Sequence, residues 1–362
     1  MPDSAAPSDP RVASAIAHWA PRFVANGIIL TDFEEVTASI RSWDQWCEKW
    51  SARGAIHAAL GSEALATRHF ISAAEHLSRA SVYYHFAKFL FVDDVPQMKA
   101  AHRRAVELHK LALPFLDPPG EYVCIPYAGQ HLAGVLRKPA AAAKPPVVVM
   151  AMGLDSAKEE MIAYEDTFLA RGMAVLAFDG PGQGEAEYDF PIRGDYEVAV
   201  KAVIDFVETR NDLDAKRIGL WGVSLGGYYA PRACAFEKRI SACVALAGPY
   251  DWGGIWDKLP DLTRNAFRVR SHAKDEAAAR KHAATLSLKG VAPLVECPIF
   301  IVSGQLDRLI PSTEAERLAA EVKGPCELLI IADANHVANN RTYRYRPQTA
   351  DWMATHLGVA AS

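Results

Sequence analysis

The sequence predicts an all-helical region over residues 1–116 followed by an α/β region over 117–362 with a mostly parallel sheet of about eight strands. Two patterns support this division. Apolar residues recur with helical spacing up to residue 116, whereas the eight strand-like runs that follow are mostly continuously apolar. Half of the 362 residues are hydrophobic, which is enough to build a large core and more than one domain.

The helical region consists of four segments with this spacing. The second starts at Thr31, whose hydroxyl is suited to cap a helix with acidic residues in its first turn. Because no fixed period relates the segments, we do not predict a repeat array. They are VASAIAHWAPRFVANG (12–27), TDFEEVTASIRSWDQWCEKWSARGAIHAAL (31–60), GSEALATRHFISAAEHLSRASVYYHFAKFLF (61–91) and DVPQMKAAHRRAVELHKLALPFL (94–116).

Three tryptophans in the second segment, Trp43, Trp46 and Trp50, share one helical face because they are three and four residues apart. One interpretation makes them core residues of the helical region. The other has Trp43 or Trp46 contacting an aromatic substrate, with residues 1–116 acting as a lid over the carboxyl ends of the strands.

The second region begins with two strands, EYVCIPYA (121–128) and HLAGVLRKP (131–139), whose short connection predicts an antiparallel hairpin at the sheet edge. Residues 251–296 are longer than one crossover helix and predict a helical excursion near the carboxyl ends of the strands. Six further runs alternate with helical segments, which is typical of a parallel sheet with helices on both faces. These runs start at Pro146, Met173, Arg217, Ala242, Pro298 and Glu327, and the helical segments include 157–171, 194–210 and 312–322.

Charge and cysteine usage restrict the function class. The net charge of −4 argues against nucleic acid or an anionic membrane as a partner. The opening MPDSAAPSDPR lacks the features of a signal peptide and no apolar run reaches transmembrane length, so we expect a cytoplasmic protein. The six cysteines form no C-x-x-C pair and are expected to be reduced. The histidine pairs at 69/76 and 102/109 lack nearby carboxylates, and no metal site is predicted.

A candidate nucleophile lies in GLWGVSLGGYYA (219–230), where Ser224 is flanked by Gly222 and Gly226 in a G-x-S-x-G pattern. A flexible glycine turn is the simpler interpretation of such a short motif. The position favours a nucleophile, because the stretch ends an apolar strand and opens a helix, the setting of a nucleophile elbow. A serine on so sharp a turn is expected to have strained backbone angles.

Serine needs a base and an orienting acid, which follow it in the order Ser, acid, His in this setting. Asp307 in IVSGQLDRLIP and His336 in LLIIADANHVANN each follow a strand, where ligands bind in open parallel sheets. Asp307 is also compatible with a capping or turn aspartate. Asp333 is the alternative acid, but it is too close to His336 along one strand end.

Two backbone N–H groups are needed to bind the oxyanion of the reaction. We expect one from Leu225, directly after the nucleophile, and the other from Leu154 in the loop after the strand at 146–153. The glycine-rich FDGPGQGE (178–185) has neither the G-x-G-x-x-G spacing nor a phosphate-binding lysine. It is therefore interpreted as a loop beside the active site.

With these residues in place, the sequence resembles the α/β-hydrolases that carry a helical N-terminal lid domain. This group includes carbon–carbon bond hydrolases of the 2,6-dihydroxypseudooxynicotine hydrolase type and the fungal polyketide-shortening hydrolases. The resemblance covers nearly the whole chain. It is carried by RSWDQWCEKWSARG (41–54), GLDSAKEE (153–160), DGPGQGE (179–185), GVSLGGYYA (222–230) and the loops with Asp307 and His336.

The resemblance implies hydrolysis of a carbon–carbon bond next to a ketone, between an acyl chain and an electron-rich aromatic ring. Ser224, or a water activated by His336, would attack the carbonyl. It also implies a small-molecule aromatic ketone or ester as substrate, no cofactor and a homodimer. An additional acid would help to protonate the carbon leaving group. Asp251, directly after the sixth strand, is a candidate, although a helix cap fits its position at least as well.

Fold and triad do not determine which bond is cleaved, so other functions stay open. A carboxylesterase, a thioesterase or a polyketide-shortening hydrolase would use the same three residues. A non-catalytic binding protein of this fold is the third class, and the complete set of catalytic residue types argues against it.

Overall fold

The computed structural model describes residues 9–140 and 142–359, so most of the opening segment MPDSAAPSDPR lies outside the described residues. The chain forms two compact units. One contains the residues up to Gly120 together with Glu159–Ala163, and the other contains Glu121–Lys158 and the residues from Tyr164 onward. The short stretch 159–163 therefore belongs to the helical unit, although it follows the third strand in the sequence.

The described part of the helical unit is built from five α-helices, and two of them begin at an aspartate that caps the helix. The Asp9 carboxylate accepts a hydrogen bond from the Arg11 N–H, and Pro10 is the first residue of that helix. The Asp94 carboxylate likewise accepts a hydrogen bond from the Gln97 N–H. None of the described helices combines the length and the apolar character required to cross a bilayer. The helices of this unit are α1 (Pro10–Ala25), α2 (Leu30–Ser39), α3 (Trp46–Ala66), α4 (Phe70–Lys88) and α5 (Val95–Ala112).

Trp43, Trp46 and Trp50 form part of an aromatic core inside the helical unit, and none of the three has accessible surface. The Trp43 and Trp46 rings stack with centroids 4.9 Å apart, and the Trp46 indole N–H donates to the Phe86 carbonyl at 2.9 Å. A side chain without accessible surface lines no substrate cavity. The proposed substrate contacts of Trp43 and Trp46 are therefore wrong, because a shared helical face is equally what a small core requires.

We expect that Trp46→Ala lowers the free energy of unfolding by about 3–5 kcal/mol, because it empties a packed aromatic site. Urea unfolding followed by circular dichroism measures this loss. Ile71→Ala is the control in the same unit, since Ile71 is 78% exposed and its truncation should change stability by less than about 0.5 kcal/mol. An unchanged unfolding midpoint together with a raised KM for Trp46→Ala would restore the substrate contact.

The second unit contains a sheet of eight strands, as the apolar runs predict. The strand order is β1-β2-β4-β3-β5-β6-β7-β8, with β2 antiparallel to β4 and the strands from β4 to β8 parallel to their neighbours. The β1–β2 hairpin occupies the edge, as predicted. The strands are β1 (Gly120–Tyr127), β2 (Gln130–Arg137), β3 (Pro146–Ala151), β4 (Ala174–Phe178), β5 (Asp214–Val223), β6 (Ile240–Leu246), β7 (Ile299–Gly304) and β8 (Cys326–Ile331).

The connections after β3 and β6 depart from simple crossover helices. The helix after β3 begins at Ile162 rather than 157, because residues 152–161 form a largely buried loop and a single 3-10 turn. Between β6 and β7 the chain forms the predicted excursion of short helices. The helices are α6 (Ile162–Leu169), α7 (Glu197–Thr209), α8 (Gly226–Phe236), α9 (Trp252–Ile255), α10 (Asp261–Arg270), α11 (Glu276–Ala283), α12 (Ser312–Glu321) and α13 (Arg346–His356).

Candidate active site

Ser224 lies on a one-turn connection between β5 and α8 and has a positive φ of 56°. Such a conformation is strained for a residue other than glycine and is typical of functional sites. The flanking glycines allow the helix to approach the strand. A Cβ on Gly222 would lie 2.0 Å from the Gly226 carbonyl oxygen, and one on Gly226 would lie 2.2 Å from that of Ala151. The turn therefore requires the G-x-S-x-G spacing.

His336 follows β8 and lies between Ser224 and Asp307. Its Nε2 is 2.9 Å from the Ser224 Oγ, and its Nδ1 is 2.7 Å from the Asp307 Oδ2. Because an ionised carboxylate only accepts, Nδ1 carries the proton and Nε2 is left to accept from the serine hydroxyl. The imidazole and the carboxylate are buried, whereas Ser224 is half-buried. These are the geometric relations that a serine, a base and its orienting acid require.

The two candidate acids differ in their surroundings. The Oδ1 of Asp307 accepts from the N–H groups of Leu309 and Ile310 at 2.8 and 2.9 Å, while its Oδ2 faces His336. Asp307 is thus both a turn aspartate and the histidine partner, so the two interpretations of this residue are compatible. Asp333 instead pairs with Arg341 on the exposed surface, with 2.6 Å between Oδ2 and Nε.

Two backbone N–H groups beside Ser224 are suited to bind an oxyanion. Within the described part of the chain, the N–H groups of Leu225 and Leu154 donate to no protein acceptor. Leu225 directly precedes α8, and the loop with Leu154 runs against the serine, since a Cβ on Gly153 would lie 3.0 Å from the Ser224 Cβ. Unpaired donors at this place match the requirement for stabilising a tetrahedral intermediate.

Asp251, which the sequence offered as either a proton donor or a helix cap, caps α9. Its carboxylate accepts from the Gly254 N–H at 3.2 Å. Its own N–H donates to the Glu314 carboxylate at 2.9 Å. The structure thus gives Asp251 the capping role, and we do not retain it as a proton donor.

A buried ion pair anchors the loop before α6, and the sequence did not reveal it. The Lys158 ammonium lies 2.7 Å from the Asp179 carboxylate, and both side chains are buried. Burial by itself raises the pKa of Asp179, but the Lys158 charge and hydrogen bonds hold that pKa below its ordinary value. Asp179 is the first residue of the DGPGQGE stretch. Its carboxylate was the one feature of the sequence that could have indicated an ion pair there, but the stretch was interpreted from its glycines alone.

The histidine loop also has buried support. The Asn339 amide donates to the His336 carbonyl at 3.2 Å, and the Tyr164 hydroxyl donates to the Asn339 Oδ1 at 3.5 Å. The Arg346 guanidinium lies over the Tyr164 ring at 4.0 Å from its centroid. These residues come from α6, the histidine loop and α13, so no local pattern in the sequence joins them.

Comparisons with known proteins agree with this architecture. The model of the prolyl oligopeptidase family matches residues 161–360, just over half of the chain. A 2,6-dihydropseudooxynicotine hydrolase of Paenarthrobacter nicotinovorans is 33% identical over 317 residues, which are 85% of this chain and 83% of that protein. The hydrolyase PoxO of Penicillium oxalicum is 35% identical over 244 residues, which are 62% of this chain and 57% of that protein.

A solved structure extends the similarity to nearly the whole chain. The crystal structure of a 2,6-dihydroxy-pseudo-oxynicotine hydrolase superposes with a TM-score of 0.86 at 30% identity, covering 93% of this chain and 95% of that one. The fold predicted from the sequence, a mostly parallel eight-stranded sheet with a helical N-terminal region, is confirmed. The chain is therefore a hydrolase of the α/β-hydrolase fold and belongs to the prolyl oligopeptidase family.

Proposed function

We propose that the protein hydrolyses a carbon–carbon bond next to a ketone, in a small molecule that joins an acyl chain to a hydroxylated aromatic ring. The observation that carries the catalytic part is the hydrogen-bonded series Ser224 Oγ, His336 Nε2, His336 Nδ1 and Asp307 Oδ2, with distances of 2.9 and 2.7 Å. The substrate class is supported by the pseudooxynicotine hydrolases, to which the chain is similar over most of its length.

In the first step Ser224 attacks the ketone carbon. His336 accepts the hydroxyl proton at Nε2, the Oγ–carbon bond forms, and the carbonyl oxygen takes the negative charge. The N–H groups of Leu154 and Leu225 stabilise this oxyanion, a contribution that typically amounts to 10²–10³-fold in rate for each donor. Asp307 stabilises the imidazolium that has formed.

In the second step the bond between the former carbonyl carbon and the ring breaks. The ring carbon takes a proton from the His336 imidazolium, and the hydroxylated ring leaves as a stable aromatic compound. Water, deprotonated by the neutral imidazole, then cleaves the acyl group from Ser224. The sum is one ketone and one water giving a carboxylic acid and an arene, so atoms and protons balance.

A substrate panel tests the bond preference. Acyl-phenol ketones and phenyl esters of matched size are compared by kcat/KM. The activated ester p-nitrophenyl acetate shows whether the protein has any serine hydrolase activity. We expect turnover of the ketones with an ortho hydroxyl and a large loss when that hydroxyl is removed, because the leaving ring carbon is then no longer stabilised.

Each other outcome contradicts a defined part of the proposal. Turnover of esters or thioesters without any ketone cleavage would make the protein a carboxylesterase or thioesterase with the same residues. No reaction with any acyl compound, including p-nitrophenyl acetate, would contradict the catalytic assignment itself. The lid role of residues 1–116, the homodimer and the cytoplasmic location stay predictions.

A further inference from the structure

Two buried side chains, one from the glycine-rich loop and one from the last residue of α10, bind consecutive backbone carbonyls of the loop that carries Leu154. The Gln183 Nε2 donates to the Met152 carbonyl at 2.6 Å and to the Gly153 carbonyl at 3.3 Å. The Arg270 guanidinium donates to the Leu154 carbonyl. Gln183 and Arg270 are each about 1% exposed. The three carbonyls belong to residues 152, 153 and 154, so the contacts cover the peptide groups on both sides of Leu154.

These contacts determine where the Leu154 N–H points. The carbonyl of Gly153 and the N–H of Leu154 belong to one planar trans peptide group, in which the two bonds point in opposite directions. Holding that carbonyl therefore orients the N–H. Arg270 restrains the following peptide group through the Leu154 carbonyl. The peptide groups before and after Leu154 can then not rotate without breaking a buried hydrogen bond, and breaking such a bond is costly.

Gln183 is itself held in one orientation. Its Oε1 accepts from the Gly180 N–H at 3.1 Å and from the Tyr196 hydroxyl at 2.7 Å. Since the Gly180 N–H can only donate, the amide oxygen must face it and the amide nitrogen must face the loop carbonyls. All four hydrogen-bonding positions of the amide are thus occupied, and three of its partners lie in other parts of the chain than the glycine-rich loop.

Arg270 is fixed by a buried acid. Its Nε lies 3.3 Å from the Glu187 Oε2, and Glu187 is buried as well. A third anchor follows four residues after Leu154, where the Lys158 N–H donates to the Asp179 Oδ1 at 3.0 Å. Asp179 and Gln183 both belong to the DGPGQGE stretch. This stretch therefore holds both ends of the segment 152–158.

We propose that Gln183 and Arg270 are positioning residues that align the Leu154 N–H with the oxyanion formed on attack by Ser224. The inference rests on the proposed function, because only an oxyanion formed during that reaction gives the Leu154 N–H a role. It assigns the DGPGQGE stretch a task in catalysis, through the backbone of another loop and without contact to the substrate.

The test compares binding of a transition-state mimic with binding of a ground-state mimic in full-length variants. An aryl trifluoromethyl ketone adds to a catalytic serine and places an oxyanion in the hole, whereas the corresponding alcohol cannot. The variants are Gln183→Met, Arg270→Met and the milder Tyr196→Phe, which removes only one donor to the Gln183 amide. For each, kcat, KM and the two inhibition constants are measured with an activated ester.

We expect Gln183→Met and Arg270→Met to lower kcat by about 10²-fold, the size of effect that misplacement by about 1 Å has in other enzymes. The trifluoromethyl ketone should bind more weakly by a similar factor, while KM and the affinity for the alcohol change by less than about threefold, since neither forms an oxyanion. In Tyr196→Phe, kcat and the affinity for the trifluoromethyl ketone should again fall by similar factors, but only by about three- to tenfold. The loss is smaller because the Gly180 N–H still donates to the Gln183 amide oxygen.

Arg137→Met is the matched control for Arg270→Met. Arg137 is also buried and pairs with acids, Glu165 at 3.1 Å and Asp166 at 2.7 Å. It lies beside Val175 near the amino end of β4, whereas Ser224 follows the carboxyl end of β5. Its loss should destabilise the fold but leave the ratio of the two inhibition constants unchanged.

The outcomes separate this inference from the proposed function. If the wild-type protein neither binds the trifluoromethyl ketone nor depends on Ser224, the proposed function fails. If the wild type passes both tests but the folded variants keep the wild-type ratio of inhibition constants, only the positioning role is overturned. Should Gln183→Met not fold, an unchanged ratio in Tyr196→Phe overturns it equally.

Discussion

Replacing Ser224 by alanine is expected to lower kcat/KM by about 10⁴-fold or more, the range seen when a triad serine is removed. The Ser224 Oγ is 2.9 Å from the His336 Nε2 and lies on a strained turn that presents it at the end of β5. Alanine adopts the same backbone turn as readily as serine, so circular dichroism and the unfolding midpoint should stay close to wild type.

Ser81→Ala is the matched control for this variant. Ser81 is a buried serine of the helical unit whose hydroxyl donates to the Ala105 carbonyl at 2.8 Å. It should lose some stability and keep its activity. If Ser224→Ala retains more than about a tenth of the wild-type rate, Ser224 is not the nucleophile. A water activated by His336 would then become the better account of the reaction.

Asp307→Asn is expected to lower kcat by about 10⁴-fold, comparable to the loss on the same substitution in another triad. The structure explains why an amide fails here. The N–H groups of Leu309 and Ile310 donate to one oxygen of residue 307, so the amide oxygen must remain there. The amide nitrogen then faces the His336 Nδ1 and forces a proton onto Nε2. Nε2 can then no longer accept the serine proton.

Asp333→Asn is the control, since it changes the alternative acid in the same way. Asp333 is exposed and pairs with Arg341, which lowers its pKa, and it takes no part in the contacts of His336. We expect its kcat to stay within about twofold of wild type, because exposed ion pairs contribute little. Rapid-mixing measurement of the acylation step separates the two variants. Equal losses, or a larger loss for Asp333→Asn, would show that Asp307 is not the orienting acid.

The strands and the order of the candidate catalytic residues could be predicted from the sequence because both depend on local patterns. Short apolar runs bounded by turn residues and alternating with helical segments favour the strands of a parallel sheet, and all eight strand-like runs of the sequence are strands. Since the carboxyl ends of parallel strands lie on one side of a sheet, the loops after β5, β7 and β8 all emerge on that side. Ser224, Asp307 and His336 lie on these loops and are therefore expected on the same side of the sheet.

Only the tertiary structure decided what each pattern packs against. The spacing of Trp43 and Trp46 indicates a shared helical face, but the burial of that face in the helical core depends on α1 and α4. The choice of Asp307 over Asp333 likewise depends on which carboxylate the loop after β7 turns toward the imidazole. A local periodicity determines a direction relative to its own element, whereas a contact requires the position of a second element.

The buried polar contacts show most clearly that the sequence alone does not predict which residues become partners. Gln183, Arg270 and Leu154 are separated by 29 to 116 residues, and their hydrogen bonds exist only once two loops and the end of α10 have met. Glutamine and arginine are common on protein surfaces, so the sequence by itself favours exposed positions for Gln183 and Arg270. The sequence determined the fold, the strand ends and the types of residue available for catalysis. Burial of donors and acceptors in the assembled sheet unit decided their partners, because a buried polar group is stable only when it is paired.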